Sequence, residues 1–289
     1  IAAEYKDTFG ESPRPAETWA ELDRMLRFYH RPNQGIFGGA LFRTPDYIAW
    51  EFWIRLHAKG LLPCDREMRP QLTHRHSVAA ALELIRASDY LTGNADSADV
   101  FTNWQTFSKG NVLCDIGWGG SQKYFQANAS NFESGLIAAP TPSDEFDFSY
   151  FNWGWNYAVP ATSRYPELSY LFCRYAVMPE PSIGAVRAPD GFFDPYQAIH
   201  YDDPQINRIY GKGFLKVHRQ SMQRSIPDLY LRGRNQYVSI LSDYLLRANN
   251  QEIAPHAALT SISKLWDDLT DSLGRDEQIR QWRLLLRRY

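Results

Sequence analysis

Cysteine is scarce in this chain, its charges nearly cancel, and it has no long apolar run. Cys64, Cys114 and Cys173 are too few and too scattered for a disulfide framework, and no Cys-x-x-Cys pair suggests a metal. Isolated thiols of this kind are expected to be buried. Thirty-one basic residues against 33 acidic ones leave a formal charge of -2, which disfavours partners held mainly by charge, such as nucleic acid or an anionic membrane surface. No stretch reaches the ~18 consecutive apolar residues of a membrane span. The opening Ile1-Ala-Ala-Glu-Tyr-Lys6 has neither the charged nor the apolar region of a signal peptide. The chain is therefore expected neither to insert in a membrane nor to carry its own export signal.

Aromatic residues are abundant. The 289 residues include 9 Trp, 17 Tyr and 16 Phe, within a composition that is 44% hydrophobic and 22% charged, so a folded chain with a sizeable core, as one large domain or two lobes, is expected. Several tryptophans sit beside Gly, Asn and Pro outside periodic segments, a placement that suits an apolar-faced cleft.

Thr18 and Glu21 have capping-box spacing, and Trp19, Leu22, Leu26 and Tyr29 then recur at helical intervals. Residues 36–42 read as a strand, 46–59 as a helix opened by Thr44-Pro45, 77–91 and 99–108 as helices, and 112–116 as a strand. That strand runs into Gly117-Trp118-Gly119-Gly120. Residues 136–139 and the alternation of 152–160 predict further strands, and Pro166 opens a helix. Residues 179–195, with four prolines and two glycines, predict irregular chain. From 235 onward three helical runs follow, at about 235–248, 256–272 and 275–288. Strands alternating with helices, then a helical tail, give an α/β class.

Most catalytic patterns are missing. Gly120-Ser121 lacks the second glycine of a nucleophile elbow. Gly117-Trp-Gly-Gly is not followed by the Lys-Ser/Thr of a phosphate loop, and His74-Arg-His76 reads as solvated imidazoles beside a helix start. Asp144, Glu145 and Asp147 could pair for glycoside hydrolysis but read as a solvated acidic loop. The aromatic set remains: Tyr47, Trp50 and Trp53 on one helix, Trp118 between glycines at a strand end, and Trp153 and Trp155 at a strand start. A core stripe explains the helix set as well as a cleft does. Trp118 is better placed at the carboxyl edge of an α/β sheet, where ligands bind. Sugars present apolar C–H faces and a polar rim, and Asp46, Asn152, Asn156 and Gln122 stand close to these aromatics.

The order of motifs resembles the bacterial extracellular solute-binding proteins of ABC transporters, in their carbohydrate-binding subfamily. Tyr5-Lys-Asp-Thr-Phe9 with Pro13-Arg-Pro-Ala-Glu-Thr-Trp-Ala-Glu-Leu22 is similar to the segment that opens the second lobe. Phe107-Ser-Lys-Gly-Asn-Val-Leu113 and Gly117-Trp118-Gly-Gly resemble the strand and aromatic turn that stacks on sugar. Asn152-Trp-Gly-Trp-Asn-Tyr-Ala-Val-Pro-Ala-Thr-Ser163 with Pro166-Glu resembles the crossing strand and its helix, and Pro227-Asp-Leu-Tyr230-Leu-Arg-Gly233 the start of the terminal helices. The family's N-terminal part has no counterpart here.

This resemblance implies a type II periplasmic-binding-protein fold, two α/β lobes about a hinge with the first lobe incomplete. Residues 1–155 would form the second lobe, 156–225 would return to the first, and 226–289 would pack back on the second. It implies a periplasmic or extracellular protein, with a lipoprotein anchor possible in such a family. Its role would be to capture a carbohydrate between the lobes and deliver it to an ABC permease, without enzymatic chemistry or cofactor. The ligand residues implied are Trp118, Tyr47, Trp50, Trp153, Trp155, Asp46, Asn152 and Tyr230. An α/β enzyme acting on sugars and a scaffold used for sensing are the alternatives. With part of one lobe absent, Leu171, Phe172 and Phe193 are expected to be exposed and sugar binding to be weak or absent.

Overall fold

Local sequence signals set the first elements. The computed structural model describes residues 1–45, 47–117, 119–132, 135–144, 151–152, 156–189, 191 and 193–288. After α1 (Ala2–Phe9), Thr18 caps α2 (Trp19–Tyr29) by accepting from the Glu21 amide at 3.2 Å. Glu21 in turn accepts from the Glu17 amide at 2.8 Å, one residue upstream of an ideal capping box. The buried face of α2, Trp19, Leu22, Met25 and Leu26, lies against β1 (Phe37–Ala40).

α3 (Tyr47–Ala58), α4 (Arg75–Ala87) and α5 (Val100–Phe107) separate β1 from β2 (Val112–Asp115), with Asp99 capping α5 through the Thr102 amide at 2.7 Å. β1 and β2 pair in parallel, in the register Phe37 with Val112, Gly39 with Cys114 and Ala40 with Asp115. A Cβ on Gly38 would lie 2.4 Å from the Leu26 carbonyl oxygen and 2.8 Å from that of Tyr90, so glycine is what lets β1 pass between them. Gly38→Ala should therefore destabilise the fold by ~1–3 kcal/mol through overpacking, read as a lower urea midpoint.

α6 (Ser121–Ala127) follows β2. Beyond it, β3 (Phe151–Asn152) precedes α7 (Pro166–Ala176), α8 (Pro179–Arg187), α9 (Ala198–Asp202), α10 (Pro204–Tyr210) and α11 (Lys212–Gln223). β4 (Ile226–Pro227) then returns parallel to β3, pairing Phe151 with Ile226 and Asn152 with Pro227. The chain closes with α12 (Arg234–Asn249), α13 (Pro255–Ser272) and α14 (Arg275–Leu285). Their apolar faces share one core with α3 and α4, in which Phe52, Leu56, Leu241, Ile262, Trp266 and Trp282 are buried. The two tryptophans satisfy their indoles inside it: Trp266 donates to the Tyr237 carbonyl at 2.9 Å and Trp282 to that of Asp65 at 2.7 Å.

Four sequence expectations are corrected. Residues 136–139 form no strand, because Gly135 at φ 80° and Pro140 bracket a segment with no ladder partner among the described residues. Residues 156–160 are likewise irregular, and among the described residues of 151–160 only Phe151–Asn152 is strand. Residues 179–187 are helical, since Pro179 and Pro181 occupy the first turn, where a missing amide hydrogen forfeits no intrahelical bond. Of the three thiols, all free, only Cys64 is fully buried.

α7 is the exception to burial. It has no buried residue, and Leu168, Leu171, Phe172 and Tyr175, spaced as one stripe, are 65%, 55%, 62% and 60% exposed. Phe193 is also exposed, as expected from the sequence. A stripe of this kind seeks cover, so the chain should self-associate in solution. Leu171→Glu with Phe172→Glu should shift its sedimentation mass toward the monomer; an unchanged mass distribution would remove α7 from the contact.

Candidate functional site

The carboxyl edge of the β1–β2 pair gathers polar groups. Asn103 on α5, fully buried, donates through Nδ2 to the Ala40 carbonyl at 2.6 Å and to Asp115 Oδ1 at 2.7 Å. It thereby ties the last residues of both strands. Burial pushes the Asp115 carboxyl up to about 7. Its Oδ2 lies 2.8 Å from where a Cβ on Gly117 would stand, so glycine leaves this oxygen room at the strand end. Asp115 escaped the sequence reading, although an acid closing a strand before a glycine turn is a usable signal.

α6, which starts beyond this edge, is fixed to the segment between β3 and β4. Lys123 donates to the Ala188 and Gly191 carbonyls at 3.0 and 2.9 Å, and Gln122 Nε2 to the Tyr210 carbonyl at 3.1 Å. Burial lowers the Lys123 pKa, which Asp194 partly offsets. Tyr210 donates to the Phe193 carbonyl at 3.0 Å and is buried with Val186, Ile206 and Leu215 in that segment's own small core.

Of the residues singled out from sequence, Tyr47 and Trp50 are brought together. Both are half-buried, their rings edge to face at 5.0 Å, and Tyr47 also stacks on Phe42 at 4.6 Å. Phe52 points inward, and Trp53 belongs to the core against Trp266. Asn152 pairs through its backbone with Pro227, three residues before Tyr230. Tyr230 is 49% exposed and lines a shallow groove of about 570 Å³ with Gln281, Leu284, Leu285 and Arg287. Asp46, Trp118, Trp153 and Trp155 lie outside the described residues, as do Glu145 and Asp147 of the acidic loop.

Asp144 is not freely solvated. It accepts from the Trp19 amide at 3.2 Å and from Lys59 at 2.7 Å, fastening its loop to α2 and α3. His74 and His76 do form a neighbouring pair at the start of α4, 5.0 Å apart, with the His76 amide donating to His74 Nδ1. Among the described residues no group of three or more His, Cys, Asp or Glu side chains could hold a metal ion, and no helix is long and apolar enough to cross a membrane.

No protein-family model matches the sequence, and no curated protein matches it significantly. Solved structures match it in fold. The ABC transporter solute-binding protein of Agrobacterium vitis, with D-mannitol bound, superposes with a TM-score of 0.79 at 14% identity, over 94% of this chain and 70% of its own. That of Agrobacterium radiobacter, in complex with ribitol, gives 0.75 at 15% identity, over 92% and 67%. Maltose-bound MalE3 of T. maritima gives 0.74 at 14% identity, over 93% and 69%. The chain has the type II periplasmic-binding-protein fold expected from its motifs, and it spans about 70% of the length of the first of these neighbours. These neighbours are binding proteins rather than enzymes.

Proposed function

We propose that the chain binds a carbohydrate or polyol between residues 1–155 and 156–225 and hands it to an ABC permease in the periplasm or at the cell exterior, with no bond made or broken. The observation that carries this reading is the parallel β1–β2 edge. It ends in a half-buried carboxyl, Asp115, and continues into Gly117-Trp118-Gly119-Gly120 where the chain meets the 187–218 segment. An aromatic plane beside a hydrogen-bond acceptor suits a ligand with apolar faces and a hydroxyl rim. The mannitol, ribitol and maltose held by the structural neighbours belong to that chemistry.

In this reading Trp118, Trp153, Trp155, Tyr47 and Trp50 supply faces, and Asp115, Asp46, Asn152 and Tyr230 supply polar contacts. The side-by-side passage of β3 and β4 supports a hinge, since a paired ribbon lets one body turn on the other without losing its ladder. Closure selects the state with the most ligand contacts, and the permease recognises it.

A thermal-shift screen against polyols and maltooligosaccharides tests the proposal. A ligand at ~100 times its Kd stabilises the folded chain by ~2.7 kcal/mol, so a true ligand raises the melting temperature in a saturable way. Release of reducing ends from an oligosaccharide would instead favour a sugar-cleaving enzyme.

A further inference from the structure

α6 serves two parts of the chain at once. Phe125 packs on Phe107, ring centres 4.8 Å apart, in the core shared with Ala40, Trp104 and Val112. Two and three residues earlier, Lys123 and Gln122 are also buried, but their polar ends reach the segment between β3 and β4. Lys123 Nζ donates to the Ala188 and Gly191 carbonyls of the α8–α9 loop, 65 and 68 positions away, and Gln122 Nε2 to the Tyr210 carbonyl at the end of α10, 88 positions away. The Lys123 ammonium also lies 5.5 Å from the centre of the Tyr210 ring. Just ahead of α6, Gly119 is buried against the same segment. A Cβ there would lie 2.9 Å from Asp194 Cγ and 3.0 Å from His218 Nε2, so the two parts of the chain meet without a gap.

The kind of contact matters as much as its closeness. The segment between β3 and β4 has a core of its own, Val186, Ile206, Tyr210 and Leu215, and no apolar cluster of described residues runs from it into residues 1–155. What joins them at α6 is an amine and an amide bonded to backbone carbonyls. Water can replace each of these bonds on separation, whereas a shared apolar core opens only by exposing its surface. Burial strips water from the Lys123 ammonium and lowers its pKa, with the charge of Asp194 pulling the other way. The hydrogen bonds that Lys123 gains are thus set against the hydration it gives up. A junction balanced in this way can open and close again.

We propose that Lys123 and Gln122 are positioning residues for ligand capture: from the first turn of α6 they latch residues 156–225 onto residues 1–155, and so set the fraction of the chain in the closed state. This rests on the closure proposed above and assigns residues to it. The latch is made of protein groups alone, so it acts on affinity through the closed fraction, and the apparent Kd rises as that fraction falls.

The test measures separation first and affinity second, on the full chain. Nitroxides attached at Asp96→Cys and Glu167→Cys, both exposed positions, report the distance between the two parts by pulsed dipolar spectroscopy, in a Cys173→Ser background diluted with unlabelled chain. Cys64 and Cys114 stay as they are, because burial pushes both thiols up and the thiolate is the reactive form. Lys123→Ala and Gln122→Ala should each raise the ratio of long to short distances at least roughly fivefold, and should weaken mannitol and maltose binding in step with the closed fraction lost. Saturating sugar should bring the short distance back in both. Distances unchanged in every variant that still unfolds cooperatively would overturn the latch. Loss of the folded state in both variants would overturn it too, by assigning the contact to the fold. If the distances lengthen while neither sugar binds the wild type, the latch stands and the sugar reading fails; unchanged distances with normal binding leave that reading and remove the latch.

Discussion

Glu51→Ala should remove ~3–5 kcal/mol of stability, the cost of leaving buried charge uncompensated. Two arginines converge on this carboxylate. Arg43 donates to Oε2 at 2.5 Å and Arg55 to Oε1 at 2.9 Å, and the two guanidiniums are 3% and 0% exposed. Burial opposes the ionisation of Glu51, yet the arginines hold its pKa below the ordinary carboxylate value. Arg55 also forks onto Asp23 at 3.0 and 3.1 Å and lies 4.1 Å over the Trp19 ring; Arg43 reaches the Leu84 carbonyl at 3.0 Å. Without Glu51, Arg43 keeps, among the described residues, only the neutral acceptors Ser88 and the Phe42 and Leu84 carbonyls. Glu51→Gln, which retains an acceptor, should lose less. Chemical denaturation measures both, and a loss under ~1 kcal/mol for alanine would show the network to be dispensable.

Trp118→Ala should weaken sugar binding by ~1–3 kcal/mol, or roughly fivefold to more than a hundredfold, while the melting temperature barely moves. The argument is one of place. Gly117, Gly119 and Gly120 surround Trp118 at the end of β2, and glycine at such a position lets other chain or ligand approach the backbone closely. The tryptophans that the described cores bury are Trp19, Trp53, Trp104, Trp266 and Trp282. Unfolding of the variant, in place of lost affinity, would assign Trp118 to the core.

Much of the helical framework was legible because its punctuation is local. Thr18, Asp99 and Pro166 mark starts that the chain obeys, and the apolar periodicity of α12 and α13 survives intact in the structure. Strands were legible only where a partner exists. The Phe37–Ala40 and Val112–Asp115 segments found one another, whereas residues 136–139, equally apolar, found none. Proline content misled at α8, because its meaning depends on position within a turn. Three-dimensional convergence was the least legible feature. Asp115 and Asn103 meet across α5 and β2, and Asp194 meets Gly119 across some seventy-five positions of sequence. No short motif encodes such a meeting, although the fold they serve was readable from motif order alone.

Isothermal titration calorimetry of the chain with mannitol, ribitol and maltose is the most direct measurement of the central claim. The account predicts saturable one-to-one binding of at least one of them at millimolar Kd or tighter, equivalent to ~4 kcal/mol or more, and weaker binding by Trp118→Ala. Absence of saturable heat from any carbohydrate or polyol, with a chain that unfolds cooperatively in the same buffer, would contradict it.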